Sequence, residues 1–310
     1  MNAVVDYKIE FIDSPAINRE KWDHCIETSL NRQVYAFSWY LDSMAPGWKA
    51  LVVGDYEIVM PLTGKSKWGI HYLYQPLFVQ QLGIFSPAKL ATDTINRFIY
   101  NAFSKYRHIH INLNQGNVLT GIDANLEERY TYLLNLKKSY EDLRKKYSKS
   151  HKKNILKAEK AELAVTEEDS PDLLLKMMQE MYHRKAVNEF SDKIAARLKE
   201  MVNHALHQEK GELYVVQKDG EYLAAAFFLL SGNQAVIYSA STPVGRKYAA
   251  AIYLIDHFIR KHAGEVLVLD FAGSIIPGIA KRNMGFGAQP EIYLNILKSR
   301  IPGFLLRMIH

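Results

Sequence analysis

Cysteine is almost missing from this chain: Cys25 stands alone among 310 residues. A single thiol excludes an intrachain disulfide and fits a reducing compartment, so the expected location is the cytoplasm. Cys25 falls between Trp22 and Ile26 on one helical stripe, a core position rather than that of an exposed nucleophile. No window reaches the ~18 consecutive apolar residues of a membrane-spanning helix, so no membrane span is expected. Met1 to Lys8 carry no basic stretch followed by an apolar one, so no secretory signal is expected either.

Several catalytic signatures are also missing. Gly64-Lys65-Ser66 resembles the end of a phosphate-binding P-loop, but the glycine required five positions earlier is Val59. Gly285 and Gly287 lack the third glycine of a dinucleotide fingerprint and follow a helix, not a strand. Neither a zinc-protease helix nor a nucleophile elbow occurs. His108 and His110 share one side of a strand, and His204 and His207 one face of a helix. Neither pair has a carboxylate or cysteine at ligand spacing, so no metal is expected.

What remains is an ordinary globular composition, 48% hydrophobic and 23% charged, over a length that favours two domains. The formal charge of +6 is unevenly spread. Lys137 to Lys160 hold ten basic residues against Glu141, Asp142 and Glu159, so one segment accounts for the whole excess. Within it Tyr140, Leu143, Tyr147, His151, Ile155 and Ala158 recur at three and four, which predicts an amphipathic helix with His151 packed on its apolar stripe.

Hydrophobic periodicity predicts a strand around Tyr7, Ile9 and Phe11 and a short helix carrying Trp22, Cys25, Ile26 and Leu30. A second helix, Phe37 to Met44, ends at Pro46-Gly47. A hairpin turns at Gly54-Asp55, followed by a strand Ile70 to Tyr74, a helix from Ile95 to Tyr106 and a strand His108 to Leu113. The second half repeats this order. Glu212 to Val216 and Glu221 to Leu230 form a hairpin, Gln234 to Ser241 a strand, Tyr248 to His262 a helix and Val266 to Phe271 a strand. Two more helices, Ser170 to Arg184 and Ser191 to Gln208, precede it. The expected fold class is α/β with mixed sheets of the α+β kind. It comprises two tandem domains, 1–136 and 137–310, joined by the basic helix 137–161.

The strongest site signal follows the strand that ends at Ser241. Pro243-Val244-Gly245-Arg246-Lys247-Tyr248-Ala249-Ala250-Ala251 turns at Gly245 and opens a helix. Unpaired N–H groups and a partial positive charge suit a helix start to phosphate, and small residues let an anion approach. Arg246 to Ala251 resembles the Arg/Gln-x-x-Gly-x-Gly/Ala loop with which the GCN5-related N-acetyltransferase (GNAT) superfamily holds coenzyme A, with Ala249 at the first glycine position.

Leu269-Asp270-Phe271-Ala272-Gly273-Ser274 and Gly278 to Gly287 are similar to the Fem-type (FemA/FemB-like) branch, whose members carry a Phe-Lys-x-x-Phe-Gly motif. Lys281 and Gly285 match it, while Ala280 and Met284 replace the aromatics. Lys152 to Ala158 resembles the basic helix between the two domains of those proteins.

The resemblance implies two acetyltransferase-like domains with a cleft between them. It further implies transfer of an acyl or aminoacyl group from acyl-CoA or aminoacyl-tRNA to a small-molecule or peptide amine, without a metal. Gly245, Arg246, Lys247, Tyr248, Ala249 and Ala251 would hold the donor. Lys281 would stabilise an oxyanion or hold a donor phosphate, and Asp270 would orient or deprotonate the amine, or cap the following turn. Trp39, Tyr74, Gln75, Gln81 and Tyr238 would bind the acceptor. Acetyl-CoA-dependent N-acetylation of a small amine, and a non-catalytic binding protein with a degenerate donor site, stand as alternatives.

Overall fold

The computed structural model describes residues 8–184, 190–272 and 276–302. They fall into two compact units, Met1–Arg129 with Ile292–His310, and Tyr130–Glu291. In chain order the first contains β1 (Ile9–Ile12), α1 (Arg19–Thr28), α2 (Ser38–Met44), β2 (Lys49–Val53), β3 (Ile58–Leu62), β4 (Gly64–Lys67), β5 (Ile70–Tyr74), α3 (Thr92–Lys105) and β6 (His108–Asn112). Strand β7 (Asn125–Asn135) leads into the second unit. There follow α4 (Tyr140–Lys145), α5 (Lys149–Lys160), β8 (Ala164–Glu167), α6 (Asp172–Arg184), α7 (Asp192–His207), β9 (Gly211–Lys218), β10 (Glu221–Ser231) and β11 (Gln234–Ser241). Then come α8 (Pro243–Lys247), α9 (Ala250–Lys261), β12 (Val268–Asp270), α10 (Pro277–Met284) and β13 (Gln289–Ser299).

The units are not divided at a single point because β13 returns: its residues Asn295 to Ser299 pair antiparallel with β6 in the first unit. That unit also contains the antiparallel sheet β1-β2-β3 and the hairpin β4–β5. Strands β5 and β6 run parallel, Tyr72 opposite His108, with α3 as their crossover. Ile95, Phe98, Ile99 and Ala102 recur on one face of α3 and are buried against Leu73, Ile109 and Ile111.

The second unit is built around a meander, β8-β9-β10-β11, followed by the parallel crossover β11–α9–β12. Leu254, Ile255, Phe258 and Ile259 of α9 share the core with Ala224, Ala226 and Phe228 of β10. The rings of Phe228 and Phe258 stack at 3.7 Å. Each unit thus has one strand–helix–strand parallel crossover.

The basic segment forms two helices rather than one. Ser139 caps α4 and Ser148 caps α5, each side-chain oxygen accepting from a backbone N–H three residues on. The predicted stripe is the buried one: Leu143, Tyr147, His151, Ile155 and Ala158 all face the core. Tyr140 donates to buried Asp256 of α9 at 2.9 Å, tying α4 down. Cys25 is buried in the first unit, and burial pushes its thiol up to about 11, which leaves it an inert core group.

Candidate donor site

Strands β11 and β12 are parallel for only three residue pairs, the last being Val236 with Asp270. Beyond it β11 continues to Ser241 on its ladder with β10, so the two parallel strands part after Asp270. The parallel pairing thus stops at the carboxyl end of the pair, where ligands of open α/β sheets bind.

A turn and the short helix α8 follow β11 at its carboxyl end. Thr242 caps α8, its hydroxyl accepting from the Gly245 N–H at 2.9 Å. The short helix is therefore satisfied from within the chain. Gly245 is buried, and a Cβ there would lie 2.0 Å from the Leu223 carbonyl oxygen, so this glycine serves close packing on β10. Arg246 and Lys247 are exposed, and Lys157 of α5 donates to the Lys247 carbonyl at 2.5 Å.

The longer helix α9 offers the open start. Its N-cap is Ala249, and no side chain caps it, which leaves first-turn N–H groups around Ala251 for a ligand. Ala249 has φ +57, in the left-handed region that glycine adopts without cost. The glycine of the related loop has its reason here. Ala249→Gly is expected to stabilise the protein by about 1 kcal/mol, read as a higher denaturant midpoint with an unchanged slope. Beside α8, a hollow of about 140 Å³ is lined by Lys218, Asp219, Leu223, Val244 and Tyr248. It is smaller than the ~300 Å³ of a typical ligand pocket.

Asp270 sits where the strands part. Its Oδ1 accepts from the Thr131 hydroxyl and, at 2.8 Å, from the Ala272 N–H, holding Ala272 at φ +55. The cap is therefore real, and among the described residues Oδ2 receives no hydrogen bond. Burial pushes the carboxyl up to about 6 against the pull of its two donors. Tyr238, on β11 beyond the last parallel pair, is buried and stacks on Phe227 at 6.1 Å.

Lys281 is exposed on α10, while its neighbours point inward. Asn283 is fully buried, with its Nδ2 lacking a partner. Half-buried Arg282 donates through Nε and Nη2 to the Asn283 Oδ1, at 3.2 and 3.1 Å. Burial without a carboxylate lowers the arginine's affinity for its proton. Phe286 is fully buried, against Phe271, Tyr147 and His151, while Met284 is 47% exposed. Phe286-Gly287 thus forms a buried aromatic–glycine pair two residues beyond Met284-Gly285. Gly273 and Ser274 of the Asp270 motif lie outside the described residues.

In the first unit the proposed acceptor residues are largely used by the fold. Gln75 accepts from the Asn112 N–H at 2.8 Å and donates to the Val79 carbonyl, pinning its own loop. Gln81 is buried with Oε1 unpartnered. Tyr74 is half-buried under the Lys65 ammonium, 4.0 Å from its ring. Trp39 is half-buried, edge-on to Tyr40.

Residues 144–275 match the family model of the acetyltransferase (GNAT) domain. FemX shares the fold at 13% identity, over 97% of this chain and 99% of that one, with a TM-score of 0.63. The chain has the Fem-like tandem GNAT fold. A tandem GNAT protein from the clavulanic acid biosynthesis pathway matches at 13% identity, over 96% and 100% of the two chains, with a TM-score of 0.51. L-PGS from Bacillus licheniformis matches at 10% identity, over 94% and 95%, also at 0.51. No curated protein matches the sequence. Among the described residues no helix is long and apolar enough to cross a membrane.

Proposed function

We propose that this GNAT-fold protein transfers an aminoacyl group from aminoacyl-tRNA to an amine, in the cytoplasm. The observation that carries the reading is what stands at the end of that parallel ladder. A buried carboxylate whose Oδ2 receives no hydrogen bond among the described residues lies at the last parallel pair, and an uncapped helix start follows β11. In such a site the amine nitrogen attacks the ester carbonyl while its proton passes to Asp270 Oδ2. Collapse of the tetrahedral adduct then forms the amide and releases the ribose oxygen, which takes the proton back. Arg282 is the inner cation of the proposal and Lys281 an outer contact for donor phosphate.

A tRNA donor is favoured over acyl-CoA by the face of α4 and α5. Lys146, Lys149, Lys153 and Lys160 are exposed there and make no ion pair among the described residues, whereas Lys145 is paired with Asp142 at 2.7 Å. Changing these four lysines to glutamine should reduce the slope of log affinity for tRNA against log salt by about 3, if all four meet phosphates. Coenzyme A binding, resting on α9, should not change. Tight acetyl-CoA binding with no salt-dependent tRNA association would turn the assignment to N-acetylation of a small amine. Binding of neither donor would leave a non-catalytic protein.

A further inference from the structure

The hairpin β4–β5 in the first unit plays no part in that reading. It turns on Trp68-Gly69, with φ +50 and +73, the two left-handed residues of a tight hairpin turn. Asparagine or glycine suits the first position, and a bulky residue there is an outlier. Trp68 is 65% exposed, and its ring meets the Lys67 ammonium at 4.9 Å. A large apolar side chain held in a strained position at a tip, burying little, does nothing for this unit's core.

Positive charge surrounds that tip on both faces. Lys65 and Lys67 lie on one face of the hairpin, opposite Tyr72 and Ile70. On the other, Gly69 and His71 open into a hollow of about 490 Å³, closed by Ser104, Lys105, Tyr106, Arg107 and Arg300. Among the described residues no carboxylate lines it. Asp13, whose charge reaches Tyr106, is paired with Lys49 at 2.6 Å. Arg300 is spent on the carbonyls of Phe103 and Tyr106, but Lys105 and Arg107 make no ion pair among the described residues.

We infer that this tip docks the protein on an anionic phospholipid surface. Trp68 enters the boundary between headgroups and acyl chains, the level at which tryptophan gathers in membrane proteins. Lys67, Lys105 and Arg107 meet lipid phosphates, and the hollow admits a headgroup. A nucleic acid would call for an extended basic track, whereas here the cations ring one projecting indole.

The test is flotation of the full chain with vesicles of phosphatidylcholine alone and of phosphatidylcholine with a quarter phosphatidylglycerol. Binding is expected only to the anionic vesicles, weakening with salt. Trp68→Ser should weaken it roughly tenfold, and Lys105→Gln with Arg107→Gln about 30-fold. All these side chains are exposed, so both variants should keep the wild-type melting temperature. Brominated lipid should quench fluorescence in the wild type far more than in Trp68→Phe, since Trp22 and Trp48 are buried and Trp39 is half-buried. Absence of wild-type flotation would overturn the inference. So would flotation unchanged in both variants, or dependence on these residues for tRNA binding but not for vesicles.

Discussion

Asp270→Asn is expected to lower turnover roughly 100-fold or more, the usual loss for a general base, while raising stability at pH 8. The two effects have opposite signs because the carboxyl has two attachments. Asparagine keeps an oxygen where Oδ1 accepts from Thr131 and Ala272, so the turn stays capped. What it removes is a buried negative charge. The folded carboxyl titrates at about 6, above its ordinary 3.8, so its favourable contribution is complete below pH 4 and is lost as pH rises through 6. Above that the ionised group costs up to about 3 kcal/mol, which asparagine recovers in part. The wild type should therefore gain activity as pH rises to about 6 and then level off, while losing stability over the same interval. Denaturant melts at pH 5 and pH 8, beside a pH–rate profile, check both halves. A variant that is less stable at pH 8 and fully active would make Asp270 a cap and nothing more.

The parallel crossovers were legible because their signals are local. The stripes of α3 and α9 repeat at three and four, and both helices bury those residues against their sheets. β7 and β13 were not foreseen, since each begins polar and exposed and only its later part is buried. Nothing in the sequence announces that Asn295 to Ser299 belong beside His108 to Asn112, a pairing made at long range. The break between α4 and α5 was hidden by its own stripe. Tyr147 and His151 keep the helical spacing across it, and only Ser148, with its N–H on the Gly285 carbonyl, marks the interruption.

At the proposed site, sequence foresaw a turn after β11 and the helix beyond it but could not rank their residues. Gly245 serves close packing, while Ala249, read from sequence at the first glycine position, adopts the glycine conformation. Lys281 fitted a motif by type, whereas burial distinguishes Arg282 and Asn283. Of the two acceptor glutamines, Gln75 has a task within the fold, whereas Gln81 keeps Oε1 unpartnered among the described residues. A buried loop must satisfy its backbone groups, and Gln75 is spent on that task.

Gly245→Ala should be the most damaging single change to the fold of the second unit. The register of β9 and β10 shifts between Tyr222 and Ala224, so Leu223 is a bulge residue and its carbonyl is aimed off the ladder. That oxygen accepts from the Thr242 N–H at 3.0 Å, and a new methyl at residue 245 would reach it at 2.0 Å. Neither partner can yield cheaply. Moving Leu223 breaks the bond to Thr242, and moving α8 pulls Gly245 from the hydroxyl that caps it. A loss of about 3 kcal/mol is expected, the upper part of the range for overpacking because the obstacle is backbone. Donor binding should fall with it, since α8 sets where α9 begins. Gly278→Ala is the control: a Cβ there meets nothing within 4 Å, in the first turn of a helix, so it should be neutral or slightly stabilising. If Gly245→Ala melts like the wild type but no longer binds donor, this glycine is a phosphate contact. In that case the bulge at Leu223 is not what fixes the turn.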